Sequence, residues 1–159
     1  MAGRFTRWLR SLLPARRQPA APPSQRGAHT GVVTARPSAK PVVTYTPHKD
    51  GDADPGEVVW TWVPYEDDAS QGKDRPVLVI GWDHDRLVAV PFTSKDHTVH
   101  PDNMEIGSGP WDRSGRRSYV KLGRLLLVDP AVVRREGGAL DRHRFDEVVD
   151  RLSDLHRWS

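Results

Sequence analysis

Every one of the 21 Asp and Glu residues in this chain lies beyond position 49. Before that point stand nine Lys and Arg and seven of the 14 prolines, amid Ala, Ser and Gln. A segment that carries +9 and is so often interrupted by proline has no means of burying a sheet or a long helix of its own. The foldable part is therefore confined to the rest of the chain, where 15 basic residues face 21 acidic ones and the balance is −6. The whole-chain charge of +3 belongs to the leading segment. It gives no ground for treating the following domain as a basic nucleic-acid binder.

The 159 residues suit one domain of ordinary size plus a tail. A hydrophobic content of 36% fits that division, because a typical globular chain holds roughly 45–50%. With no cysteine, disulfide frameworks, thiolate zinc sites and cysteine nucleophiles are excluded. The longest apolar run is about five residues, against the roughly 20 that span a bilayer. In the leading segment Phe5, Trp8, Leu9, Leu12 and Leu13 follow a helical spacing, with Arg4, Arg7 and Arg10 between them. The sequence thus predicts a short basic amphipathic helix over 1–14, stopped by Pro14, then a disordered Pro-rich linker over 15–54 and a domain over 55–159. Such a helix would contact an anionic membrane surface or nucleic acid. It is not a signal peptide, since only Leu12 and Leu13 follow its arginines.

Residues 57–63 are rich in β-branched and aromatic side chains and place Val58, Trp60 and Trp62 on one face of a strand. A polar loop over 64–74 follows, then the run 76–80, too apolar to face water on either side and hence a central strand. Residues 87–93 form the next strand, with Pro91 expected at an edge or bulge because it cannot donate to a ladder. Short strands are expected at 104–106, 118–122 and 124–128, and one helical turn over 130–135. Asp141 is the expected N-cap of a closing helix, with Leu140 stapling onto Phe145 and a buried stripe of Phe145, Val148, Val149, Leu152 and Leu155. Strands followed by one helix predict a mainly β (α+β) fold, a small bent antiparallel barrel with a C-terminal helix packed on it.

The two central strands read as a hairpin. With the turn centred on His84, Trp82 opposes Arg86, Ile80 opposes Val88 and Arg75 opposes Thr93. Opposed residues hold their Cβ atoms roughly 4.5–5.5 Å apart. A guanidinium and a hydroxyl therefore meet at the open end of the hairpin, beside the long loop.

These residues carry a resemblance. The opening Pro55-Gly56-Glu57-Val58-Val59-Trp60, the run Gly72-Lys73-Asp74-Arg75-Pro76-Val77-Leu78-Val79-Ile80 and the strand end Phe92-Thr93-Ser94 resemble the MazF/PemK family. Glu105-Ile106, Leu125-Leu126-Leu127-Val128-Asp129 and Leu140-Asp141 continue the likeness in order, over about residues 55–156. These are ribonuclease toxins of type II toxin–antitoxin pairs. The resemblance implies an SH3-like barrel, a homodimer, a protein antitoxin and cytoplasmic, metal-independent cutting of single-stranded RNA without cofactors. It makes Arg75 and Thr93 the catalytic residues. A planar guanidinium can donate to two oxygens of a crowded phosphorane, and a threonine hydroxyl can donate to a third.

Around that pair, Gln71, Lys73, Ser94, Lys95, His97 and Trp111 are the expected substrate contacts. Lys73, Arg75, Lys95, Arg113, Arg116 and Arg117 must supply positive charge locally, against Glu66-Asp67-Asp68 in the nearby loop. Trp111, in a polar loop, is the expected stacking residue, and Trp60 and Trp62 are expected in the core. His97 and His100 are candidates for a base. With Asp96 they do not make a metal site, since no third ligand is spaced to join them. The alternative to a nuclease is a binding module of the same fold, without cleavage, for nucleic acid or a protein partner.

Overall fold

The apolar run at 76–80 lies in the longest strand of the molecule and has a partner on each side. The computed structural model describes residues 31–48, 50–96 and 99–158. In chain order these form β1 (Val32–Thr34), β2 (Val58–Pro64), β3 (Gly72–Asp83), β4 (Arg86–Thr93), β5 (Asn103–Gly107), β6 (Ser118–Lys121), β7 (Leu126–Val128), a 3-10 turn (Pro130–Val132) and α1 (Arg142–His156). The main sheet runs β1-β7-β4-β3-β2, wholly antiparallel, and β6 joins the far end of β4 with β5 beside it. Val77, Leu78, Val79 and Ile80 are all fully buried because the sheet has a core on both faces. Leu78, Ile80, Val88 and Val90 pack with Phe145, Val148 and Leu152 of α1. Val59, Val63, Val77, Val79, Leu87, Ala89, Leu126 and Val128 fill the inside of the curl. The result is a curled antiparallel half-barrel with one C-terminal helix, in keeping with the small bent antiparallel barrel expected.

Details of register differ from expectation. The turn is the two-residue His84-Asp85, with His84 left-handed at φ 57°, so Asp83 pairs with Arg86 and Trp82 with Leu87. Histidine is among the residues enriched in that conformation. A bulge between Val79 and Gly81 then takes up one residue of β3. Beyond it Val79 pairs with Ala89 and Val77 with Pro91. Pro91 is at neither an edge nor a bulge. β4 pairs with β7 through Leu87–Ala89 and with β6 through Phe92 and Thr93, and Pro91 falls in the break between those partners, where a missing N–H costs least. The loop after β2 is also shorter than expected, 65–71, because Lys73 and Asp74 already pair with Val63 and Trp62.

The largest correction concerns the linker. From Gly31 onward the segment expected to be disordered is part of the domain. β1 pairs with β7, and Val42 exchanges two backbone hydrogen bonds with Trp82 at 3.0 and 3.1 Å. Gly81 permits that approach, since a Cβ there would stand 2.6 Å from the Val42 carbonyl oxygen. Ser38 donates through its N–H and hydroxyl to the Asp83 carboxylate at 2.9 and 2.7 Å, which holds that carboxyl below its ordinary range. Tyr45 packs its ring 5.2 Å from Phe145 and donates its hydroxyl to the Leu140 carbonyl at 2.7 Å. Removing only that hydroxyl, in Tyr45→Phe, is expected to lower stability by about 1 kcal/mol, read as a shift in the urea midpoint. The helix and linker expected over 1–30 lie outside the described residues.

α1 begins as expected. The Asp141 side chain accepts from Arg144 N–H at 3.0 Å, and Leu140 and Phe145 share the core. Leu155, however, is 42% exposed. Ten residues on from Phe145 it has rotated to the flank of the stripe, so the apolar face closes at Leu152.

Candidate functional site

The regular ladder between β3 and β4 ends at Val77 and Pro91, and two residues further along that register stand Arg75 and Thr93. Arg75 is paired on its other side with Thr61 of β2, and Thr93 with Tyr119 of β6. Both side chains are half-buried. Arg75 Nη1 donates to the Phe92 carbonyl at 3.5 Å, while its Nε is buried with no hydrogen-bond partner. Thr93 Oγ1 accepts from the Lys95 N–H at 3.1 Å, which leaves the hydroxyl proton free to be donated elsewhere.

Two clefts meet at this pair. The larger, of about 870 Å³, is lined by Arg75, Thr93, Lys73, Ser94, Trp60 and Trp111 together with the 110–118 loop and the segment at Arg134 and Glu136. Six of its residues are cations (Lys73, Arg75, Arg113, Arg116, Arg117, Arg134) and three are acids (Asp74, Asp112, Glu136). Two of the acids are already engaged, Asp112 with Arg116 at 3.1 Å and Asp74 with Arg134. The smaller cleft, of about 350 Å³, also reaches Arg75 and Thr93 and adds Lys95, His100, Asn103, Lys121 and Arg124. Its acids are Glu66 and Asp67. The hydrogen bond from Lys121, at 2.5 Å, holds the Glu66 carboxyl below its ordinary range. Although residues 50–159 are net acidic, both clefts beside Arg75 therefore carry more cations than acids.

The structure brings together Arg75, Thr93, Lys73 and Ser94 in the larger cleft and Lys95 in the smaller. Gln71 lines neither. It closes the 65–71 loop, its carbonyl accepting from Tyr65 N–H at 2.8 Å. His97 lies outside the described residues. The tryptophans exchange their expected places. Trp111 is only 7% exposed, with its indole N–H donating to Ser118 Oγ at 2.9 Å and its ring edge-on to Phe92 at 5.6 Å. Its loop folds back to fill the end of the core, so it walls the cleft without offering a free face. Trp60 is half-buried at the cleft wall, where its backbone bridges to Arg134.

Sequence reasoning missed Arg134, Lys121 and Arg124. Arg134 is carried to the cleft by two backbone hydrogen bonds with Trp60, at 2.7 and 2.8 Å, which no local pattern signals. Arg124 did carry a signal, a lone cation directly ahead of the apolar run 125–128. As for metals, His48, Asp50 and Asp54 bring donor atoms within 4.8 Å of one another among the described residues, and none of the three lines either cleft.

A curled antiparallel sheet backed by one helix, with an Arg–Thr pair set where two cationic clefts join, defines a small half-barrel protein with its candidate site at the open end of the central hairpin. Residues 54–156 match the family described as the PemK-like, MazF-like toxin of type II toxin-antitoxin systems, and the chain belongs to that family. Among solved structures, MazF (Form-I) from Deinococcus radiodurans is similar at 22% identity and a TM-score of 0.50, covering 67% of this chain and 97% of that one. The MazE-MazF structure (Form-III) from the same organism is similar at 21% identity and a TM-score of 0.50, covering 67% of this chain and 98% of that one. They share its fold. Comparison with curated proteins finds no match.

Proposed function

We propose that this protein is the toxin of a toxin–antitoxin pair and acts as an endoribonuclease on single-stranded RNA. The observation that carries the reading is Arg75 and Thr93 facing each other where the two cationic clefts meet. A ribose 2′-oxygen attacks the adjacent phosphorus, the bond from phosphorus to the 5′-oxygen breaks, and the products are a 2′,3′-cyclic phosphate and a 5′-hydroxyl. The 2′-hydroxyl proton passes to a base and the leaving oxygen takes one up. The phosphorane gathers negative charge on its free oxygens. Arg75 meets it with a planar set of donors, of which Nη1 is engaged only by the long contact to the Phe92 carbonyl at 3.5 Å. Thr93 donates one further hydrogen bond. Guanidinium groups hold their proton too tightly to be good bases. His100 is the imidazole in the smaller cleft and is the better acceptor of the proton.

Metal plays no part in this scheme, so EDTA provides the test. The full chain is expected to cut long single-stranded RNA at selected sequences in EDTA, leaving 5′-hydroxyl ends. Fragments with 5′-phosphate ends, or no cleavage of varied RNA, would overturn the reading. Retained RNA binding without cleavage would point to a binding module instead. Trp60, half-buried on the wall of the larger cleft, is the residue we assign to stack a base, a contact worth about 1–3 kcal/mol. Trp60→Ala is accordingly expected to weaken binding of an uncleavable 2′-O-methyl RNA by at least about fivefold, measured by fluorescence anisotropy.

Membership of the family and the fold shared with the Deinococcus radiodurans MazE-MazF structure support a protein antitoxin for this chain as well. An acidic antitoxin segment would suit the cation-lined clefts and would block Arg75 by occupying them. A homodimer and a cytoplasmic location, where the RNA is, complete the proposal. No described helix is long and apolar enough to cross a membrane.

A further inference from the structure

Arg124 is the only Lys or Arg among the described residues to be buried, at 7% exposure. Two of its nitrogens are held by uncharged oxygens. Nε donates to Thr34 Oγ1 at 2.9 Å and Nη2 to the Pro64 carbonyl at 2.6 Å. Among the described residues no carboxylate lies within ion-pair distance of it. Glu66, the nearby acid, is bonded to Lys121 instead. Burial, and then the repulsive charge of Arg75, push the Arg124 guanidinium below its ordinary range, with the attraction of Glu66 opposing them. A buried guanidinium without a bonded carboxylate is costly. Held rigidly in a cleft that already contains Arg75 and Lys95, it is a preformed seat for an anion supplied from outside.

We infer that Arg124 binds a backbone phosphate of the RNA next to the one held by Arg75, and that Thr34 is the residue that positions it. This rests on the ribonuclease reading for the identity of the anion. It adds a role for β1, which lies outside the family match at 54–156 yet supplies the oxygen that fixes this guanidinium. The smaller cleft is thereby the path of the neighbouring nucleotide, and the chain's own N-terminal strand is part of its substrate-binding apparatus.

The test uses the full chain and a mixed-sequence single-stranded RNA carrying 2′-O-methyl groups throughout, which binds but cannot be cut. Affinity is measured between low and moderate salt. Each phosphate contact on a single strand contributes about −0.7 to the slope of log K against log salt. Arg124→Gln is expected to make that slope shallower by about 0.7, and Arg124→Lys to retain it. Thr34→Val, at an exposed position, is expected to weaken binding about three- to tenfold with little change in the unfolding midpoint. An unchanged slope in folded Arg124→Gln would overturn the inference. Should that variant not fold, unchanged affinity in Thr34→Val would do so. Wild-type protein that binds with the full slope but cuts no unmodified RNA would remove the ribonuclease reading and leave the phosphate role standing. Wild-type protein that cuts, beside an Arg124→Gln variant with unaltered slope, would remove the phosphate role and leave the ribonuclease reading standing.

Discussion

Replacing Arg75 with alanine is expected to slow RNA cleavage by at least about 10²–10³-fold, the cost of removing one preorganised donor set from a developing anion. The substitution should leave the fold intact. Arg75 is half-buried at the open end of the hairpin, and its side chain is held to the protein by the long contact with the Phe92 carbonyl at 3.5 Å. Arg75→Lys should recover little of the loss, since an ammonium keeps the charge without the planar fork that spans two phosphoryl oxygens. Thr93→Val, which keeps the branched shape and removes the hydroxyl, should fall by about 10²-fold. Single-turnover cleavage of one labelled RNA, followed beside thermal unfolding of each variant, makes the measurement. Near-wild-type cleavage by a folded Arg75→Ala variant would remove this pair from the chemistry.

The second large effect concerns stability. Phe145→Ala is expected to cost about 3–5 kcal/mol, because the ring is 2% exposed in the core shared by α1 and the sheet. Domains of this kind are stable by only about 5–15 kcal/mol, so much of the margin would be gone. The damage should also reach the N-terminal segment, whose Tyr45 leans on the same ring. Leu155→Ala, on the exposed flank of the same helix, should stay within about 0.5 kcal/mol. Urea unfolding of the two variants provides the contrast, and equal losses would mean that the helix is not anchored as described.

The central hairpin was legible because two local signals agreed. An uninterrupted apolar run can only be a strand covered on both faces, and the turn residues stood where the apolar pattern stopped. The cap and staple of α1 were legible for the same reason, since each involves residues within one turn of one another. The N-terminal segment was not. Val32, Ser38, Val42 and Tyr45 hold it to the domain at separate, widely spaced points, and such spacing leaves neither the twofold nor the 3.6-fold period that a sequence displays. Its order is conferred by partners far along the chain. Of the candidate site, the placement of Arg75 beside Thr93 and of most of the surrounding cations was visible. Trp111 was misplaced because a polar loop composition says nothing of one indole that turns inward to bond Ser118. Arg124 was overlooked because a charge ahead of an apolar run ordinarily faces water, whereas here oxygens of Thr34 and Pro64, 90 and 60 residues away, receive it.

The bulge at Ile80 has the standing of a parity bit. A two-residue turn alone would set Arg75 against Ser94, and Thr93 would then oppose Pro76 and point to the other side of the sheet from the guanidinium. The extra residue changes odd to even and puts both groups into the same cleft. Residues lost in pairs, one from each arm of the hairpin, would preserve that count, whereas a single loss would invert it and set Arg75 and Thr93 on opposite faces of the sheet. What must be kept between turn and site is therefore a difference in length between the two arms, and neither length by itself.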